Sequence, residues 1–273
     1  MTTAPATTKA PGTTTDMRAP LRCLAALPFL VVAACGGGES AEPGPTASST
    51  TPAEAAALPP LPQKDEPFEL DPANFVDTID NPYWPMTPGS RWVYRETDAD
   101  GTVQRVVVTV TDRTKTIEGI RATVVRDTVS EDGDVVEDTF DWFAQDKWGN
   151  VWYLGEATKE YDGAEVSTAG SWEAGVDGAL AGVVVPADPK PGLAYRQEYY
   201  AGEAEDEAVV LSVDEQAEVP QGSYEGVLMT KDLNPLEPDL LEHKFYAKGV
   251  GPVLAITVSG GASREELVSF VSG

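Results

Sequence analysis

Cysteine and histidine are almost missing from this sequence, which has 2 Cys and 1 His in 273 residues. Both cysteines, Cys23 and Cys35, precede the part of the chain with the capacity to fold. That part therefore has no disulfide, no thiolate nucleophile and no cysteine metal site to draw on. With His243 as the lone imidazole, a multi-histidine zinc centre is excluded. Flanked by Glu242 and Lys244, it reads as a packing or surface residue rather than a catalyst. Positive charge is scarce too: 19 Lys and Arg face 45 Asp and Glu, for a formal net charge of -26. Such a field repels phosphate backbones and anionic head groups, so neither nucleic acid nor direct electrostatic membrane binding is expected. There is also no P-loop, no G-x-G-x-x-G between a strand and a helix, and no nucleophile elbow. Two acidic turns, Asp98-Ala99-Asp100-Gly101 and Glu131-Asp132-Gly133-Asp134, lack the full calcium-loop spacing with its distal glutamate. They read as plain hairpin turns, and no metal, cofactor or catalytic residue is assigned.

Long apolar runs are absent as well, and the run that does occur is informative. Residues 24–34 are too short to span a bilayer, which takes about 20 residues, but they suit the apolar region of a secretory signal, with Arg18 and Arg22 as its positive flank. The Val32-Ala33-Ala34-Cys35 stretch resembles the bacterial lipobox. That resemblance implies cleavage before Cys35 and acylation of its thiol, hence a signal peptide over 17–34 and a lipoprotein held on the extracytoplasmic face of the cell membrane or outer envelope. Residues 1–16 lie oddly upstream of Met17 and read as an over-extended start. Residues 35–67 are rich in Pro, Ala, Ser, Thr and Gly with few large apolar side chains. Such a segment cannot offset its ordering entropy and is expected to be a disordered tether.

Residues 68–273 read as one β domain. Trp92 and Tyr94 alternate with polar residues over 91–97, and 103–111 and 120–129 are rich in Val and Thr. Asp100-Gly101, Glu118-Gly119 and Asp132-Gly133 fall between these runs as hairpin turns do. Trp148-Gly149-Asn150 separates 140–145 from 151–156. Further strands are expected at 183–185, 195–201, 208–213, 224–232 and 253–258. Segments 238–244 and 264–270 carry a possible helical turn, the second equally able to pair as a last strand. No βαβ spacing occurs, so the expected fold is all-β and mainly antiparallel: a curved meander forming a half-barrel or barrel with little helix.

The blocks DNPYWPMTPGSRWVYR (80–95), DWFAQDKWGNVWYLGE (141–156), PGLAYRQEYYAGEAED (191–206) and EHKFYAKGVGPV (242–253) resemble those of an uncharacterised family of exported bacterial proteins and lipoproteins. The resemblance covers nearly the whole domain. It implies that the Y-A-x-G-V-G-x-V ending introduces the last strands of a curved sheet, similar in shape to lipoprotein-carrier half-barrels, and it brings no catalytic residues. Two functions follow as expectations. One is a membrane-anchored lipoprotein whose non-catalytic domain binds an apolar ligand or an envelope protein. The other is a carboxylate-dependent hydrolase acting on envelope polymer, for which inward acids of raised pKa would speak. For the first, the aromatic hairpin at 140–154 supplies the candidates. Alternation sets Phe140, Trp142 and Ala144 against Asp141, Phe143 and Gln145, and Val151 and Tyr153 against Trp152 and Leu154. Both faces thus carry rings, and either they fill the core or Trp142, Trp152 and Tyr153 line an apolar groove.

Overall fold

The computed structural model of the chain describes residues 58–273. The signal segment, Cys35 and the tether up to residue 57 lie outside the described residues. Strand β1 (Phe75–Val76) precedes a run of hairpins, β2 (Arg91–Thr97), β3 (Val103–Ile117), β4 (Ile120–Glu131), β5 (Asp134–Asp146) and β6 (Val151–Ala157). A small hairpin, β7 (Glu160–Asp162) and β8 (Glu165–Ser167), leads to β9 (Trp172–Glu173), β10 (Leu180–Val185), β11 (Ala194–Arg196) and β12 (Glu198–Tyr199). A second meander follows: β13 (Glu207–Val219), β14 (Gly222–Leu233), β15 (Leu241–Ala247), β16 (Gly251–Ser259) and β17 (Arg264–Val271). Every strand pairing among the described residues is antiparallel. Strand β17 returns to β2, β10 joins β6 to β12, and β11 joins β13, so the sheet curls into a nearly closed barrel. Among the described residues the helical piece is one 3-10 turn, Pro72–Asn74.

The turn chemistry sets the hairpin register. Glu118-Gly119 and Asp132-Gly133 both take positive φ at both residues (48° and 81°, 52° and 98°), the backbone that matches the twist of two-residue hairpins. Asp98 and Asp100 are occupied within their own turn, accepting backbone hydrogen bonds from Asp100 and Thr102. Two expectations need correcting. Segment 238–244 forms no helical turn; it enters β15, and Glu242 and Lys244 are strand residues on the same face. The strand expected at 140–145 starts at Asp134, because Glu137 and Thr139 face a polar interior and do not interrupt it. Segment 264–270 pairs as the last strand, β17.

Side-chain alternation then divides the interior into two halves. At the end carrying the β3–β4, β5–β6 and β15–β16 turns the inner face is apolar. Trp92 is fully buried, stacks on Phe270 with ring centroids 5.1 Å apart and donates its indole N–H to the Val250 carbonyl at 2.8 Å. Tyr94 reaches the Pro252 carbonyl at 3.0 Å. Residues 79–90 stopper this end. Trp84 packs between Phe143 on β5 (5.3 Å) and Tyr246 on β15 (6.2 Å), spanning the interior from wall to wall. Gln145 Oε1 accepts the backbone N–H groups of Asp80 and Asn81, and Gly249 donates to the Pro82 carbonyl, fixing the start of the stopper, while Gly89 donates to the Val110 carbonyl and Val110 to that of Ser90, fixing its end.

Outside the barrel, residues 61–66, read above as the last part of the tether, run along the wall. Arg196 is buried and donates through Nη1 to the carbonyls of Lys64 (2.7 Å) and Glu66 (2.8 Å), and through Nε and Nη2 to that of Ala181. Burial pushes its pKa down to about 10.

Candidate functional site

The opposite half of the interior is acidic. Strand register puts Glu96 of β2 beside Glu265 of β17, Asp127 of β4 beside Thr139 of β5, Asp141 of β5 beside Glu156 of β6, and Asp232 of β14 beside Glu242 of β15. Glu198 of β12 and Asp206, just before β13, complete the belt. All sit at the same end of their strands, in phase with inward residues such as Tyr94, Val125 and Phe143. Glu96, Asp127, Asp141, Glu156, Glu198, Asp206 and Glu265 are partly buried residues, whereas Asp232 and Glu242 are buried, and Asp127 Oδ1, Asp206 Oδ1 and Asp232 Oδ2 are buried without a hydrogen-bond partner among the described residues.

Burial is the first cause of their weakened acidity, and mutual repulsion is the second. Glu96 is pushed up to about 7 by burial and then by Glu242, Asp98 and Glu137. Glu265 is pushed up to about 8 by burial, Glu96 and Glu242, against the opposing pull of Lys244. Asp141 reaches about 7, where the Tyr153 hydroxyl, donating to Oδ1 at 2.8 Å, holds it back. Asp127 and Glu156 rise well above the usual carboxylate range through burial and then the Asp141 charge. Glu198 rises well above it through burial and then Asp206, whereas Asp206 reaches about 6. Glu198 and Asp206 hydrogen-bond to each other, and of the two Glu198 is held further above its ordinary range. Lys244 provides the counter-charge, with Nζ 3.1 Å from Asp232 Oδ2 and 3.8 Å from Glu242 Oε2.

Aromatic surface stands among these acids. Tyr153 stacks on Phe143 (4.9 Å) and meets Trp172 edge-on (5.3 Å), and the Trp172 indole donates to Glu198 Oε2 at 2.9 Å. Gly155 makes this possible: at φ 127° it lets β9 pass so close that a Cβ there would stand 2.3 Å from the Trp172 carbonyl. Tyr195, only 1% exposed, points into the same half. Its hydroxyl faces Tyr246, Asp232 and Lys244 and has no hydrogen-bond partner among the described residues. No three His, Cys, Asp or Glu side chains among the described residues converge as metal ligands do.

The three ring residues singled out from the sequence do not share one groove. Tyr153 faces the interior. Trp142 and Trp152 share the outer face, where Lys115 Nζ lies 3.2 Å from the Trp142 ring centroid. Trp152 is covered by Phe68 (5.3 Å) and Phe75 (6.1 Å), and its indole donates to Asp146 Oδ2 at 2.9 Å. The cover of Trp152 is the chain's own N-terminal segment, whereas Trp172 of β9 packs inside against Tyr153. His243 lies on the opposite face of β15 from Glu242 and Lys244, half-buried and outside the acidic belt. The sequence reading singles out no individual carboxylate of this belt. The signal was their phase: Glu96 follows Tyr94 by two residues, Asp127 follows Val125, and Asp141 precedes Phe143, so each shares a face with a core residue.

No protein family and no curated protein matches the chain. Two solved structures are similar in part. One is a protein provisionally named a lipoprotein, from Parabacteroides distasonis ATCC 8503, at 14% identity over 71% of this chain and 99% of that chain, with a TM-score of 0.43. The other is a protein provisionally named as exported, with a YmcC-like fold, from Bacteroides fragilis NCTC 9343, at 14% identity over 69% and 98%, with a TM-score of 0.38. At these scores neither likeness carries an argument about this chain.

Proposed function

We propose that this chain is a lipid-anchored, extracytoplasmic binding protein whose barrel takes a polar ligand into its acidic half. The anchor rests on the Val32-Ala33-Ala34-Cys35 stretch. The observation that carries the binding reading is the division of the interior: one end is stoppered by Trp84 and its neighbours, while the other is lined by acids, several of them on residues that are only partly buried. An apolar ligand fits this half poorly, since it would strip water from carboxyl groups without replacing their hydrogen bonds.

The second reading, a carboxylate-dependent hydrolase, is favoured by the pair of Glu198 as acid and Asp206 as base, whose environments push their pKa values apart. Glycoside hydrolysis, however, sets its two carboxyls about 5 to 9.5 Å apart, with the bond to be cut between them. Glu198 and Asp206 are in hydrogen-bond contact, so binding stands ahead of hydrolysis.

Native mass spectrometry of the whole chain, purified from its own cells in a non-ionic detergent, tests the reading: a small molecule should accompany the protein. A ligand-free chain that cleaves envelope polymer, with the activity abolished in Glu198→Gln, replaces binding by hydrolysis. For the anchor, labelled palmitate should enter the wild type and not Cys35→Ala; equal labelling of both rejects it.

A further inference from the structure

We propose that the outer wall of the barrel over β2, β3 and β4 is a docking surface for a protein partner, which lays on it an extended acidic segment whose wall-facing residues alternate carboxylate and apolar. The surface lies outside the barrel and does not depend on what the interior holds.

Strand register assigns the wall. Trp92, Tyr94 and Glu96 of β2 face inward, so Arg91, Val93, Arg95 and Thr97 face out. Their partners on β3 are Thr109, Val107, Arg105 and Val103, and beyond the first three of these stand Arg126, Thr128 and Ser130 of β4. None of these outward residues is an acid, in a chain with 45 Asp and Glu against 19 Lys and Arg. The wall is banded across the strands. Arg91 and Arg126 share one row, Val93 and Val107 the next, and Arg95 and Arg105 the third, with Val103 beyond it. Successive rows are about 7 Å apart, two residues of strand.

Two of the arginines are unused. Arg95 is bonded to Glu266 at 2.7 Å and Arg126 to Asp138 at 2.7 Å, whereas Arg91 and Arg105 are exposed and have no side-chain ion pair or hydrogen bond among the described residues. Arg95 and Arg105 stand directly opposite each other, an arrangement of like charges that costs stability. Beside them opens a groove of about 310 Å³, lined by Val93, Val103 and Val268 and flanked by Arg95, Arg105 and Ser130, with Asp132 of the β4–β5 turn at its rim. Val103 and Val268 are exposed.

Charge and spacing together choose the partner. Free arginines around an apolar floor match carboxylates around an apolar side chain, and arginine with apolar contact is the make-up of protein interfaces. The row spacing equals the distance between alternate residues of an extended strand. Acid, apolar, acid and apolar at every second residue thus meet the Arg91 row, the Val93 row, the Arg95 row and the Val103 groove in turn. A phosphate polymer or the headgroup layer of an anionic bilayer brings no apolar side chain for the groove, and each extends past the wall into the field of a chain whose net charge is -26. A short segment ends with the wall, and screening over about 8 Å at physiological salt shields it from acids elsewhere.

The probe is a fluorescein-labelled peptide reading Glu-Thr-Val-Thr-Glu-Thr-Val, and its control is the permuted Glu-Thr-Glu-Thr-Val-Thr-Val, of the same composition and charge. Binding to the whole chain in non-ionic detergent is followed by fluorescence anisotropy. Two double variants remove equal charge from different places. Arg91→Gln with Arg105→Gln acts on the wall, and Lys64→Gln with Lys190→Gln acts on exposed cations elsewhere. The two arginines leave no native partner stranded, so the fold survives; melting curves check it. The banded peptide should lose at least fivefold in affinity in the wall variant and less than twofold in the lysine variant, and the permuted peptide should bind the wild type at least threefold more weakly than the banded one. Equal losses in the two variants, or equal binding of the two peptides, overturn the site and leave diffuse attraction. Failure of the banded peptide to bind overturns it as well. If glycerophosphoglycerol, the free headgroup of an anionic lipid, displaces the banded peptide, binds more tightly than it and loses affinity in the wall variant, the surface faces a bilayer and the protein partner is wrong.

Discussion

Tyr153 and Asp141 are joined inside the barrel by a 2.8 Å hydrogen bond from the phenol to Oδ1. The bond favours the charged carboxylate and so opposes the burial that lifts Asp141 to about 7. Removing the hydroxyl in Tyr153→Phe should therefore raise the Asp141 pKa further. Carbon-13 titration of the side-chain carboxyl reads this directly, and an unchanged or lower value contradicts the assignment.

Stability should fall as pH rises. Asp206, Asp141, Glu96 and Glu265 are raised from ordinary values of 3.8 or 4.5 to about 6, 7, 7 and 8. Between the ordinary and raised values the folded chain holds more protons than the unfolded one. The stability from this source is fully present below the ordinary values and is lost as pH climbs through 6 to 8. The thermal midpoint should accordingly drop by several degrees from pH 5 to pH 8. At pH 8, salt at 1 M, where screening acts over about 3 Å, should restore part of the loss. A midpoint that rises between pH 5 and pH 8 contradicts the raised acids.

Asp146 organises the β5–β6 turn from a buried position. Its Oδ1 accepts the backbone N–H groups of Trp148, Gly149 and Asn150, and its Oδ2 accepts from Asn150 Nδ2 and the Trp152 indole. Asp146→Ala strands these donors, and each unpaired buried donor costs about 1 to 3 kcal/mol. A loss of at least about 3 kcal/mol in chemical denaturation is expected, with Asp146→Asn recovering a part because it keeps one acceptor oxygen.

The barrel was legible in the sequence wherever its strands obey alternation with an apolar inner face. Trp92 and Tyr94, the Glu118-Gly119 and Asp132-Gly133 turns and the Val-rich runs are such places. Legibility failed where the inner face turns polar. Glu137 and Thr139 hid the first half of β5, and Glu242 and Lys244 made β15 look like a possible helical turn, because a strand whose inner residues are charged shows no hydrophobic period. The faces of Trp142, Trp152 and Tyr153 followed correctly from alternation, but what covers each face depends on contacts far along the chain, such as Phe68 on Trp152. The acidic belt was hidden for another reason. The phase of each carboxyl is local and readable, whereas closure of the ring, through β10 with β6 and β17 with β2, is what turns those carboxyls toward one another.

Gly155 offers the sharpest test of how the aromatic edge of the site is built. A Cβ at this position would stand 2.3 Å from the Trp172 carbonyl oxygen and 2.9 Å from the Glu173 Cα, both backbone atoms that cannot step aside alone. Its φ of 127° is unfavourable for any L side chain. Backbone strain of about 1 to 3 kcal/mol and overpacking of about 1 to 3 kcal/mol act together here, so Gly155→Ala should lower stability by about 2 to 4 kcal/mol. Gly163 is the control: its φ of 59° is also left-handed, but nothing lies within 4 Å of a Cβ there. Gly163→Ala should cost only about 1 to 2 kcal/mol, the ordinary penalty for an L residue in that conformation. Because β9 must shift to admit the methyl, the Trp172 indole should also lose its bond to Glu198, and near-ultraviolet dichroism of Gly155→Ala should change where that of Gly163→Ala does not. Equal costs for the two substitutions would mean that β9 does not press against β6.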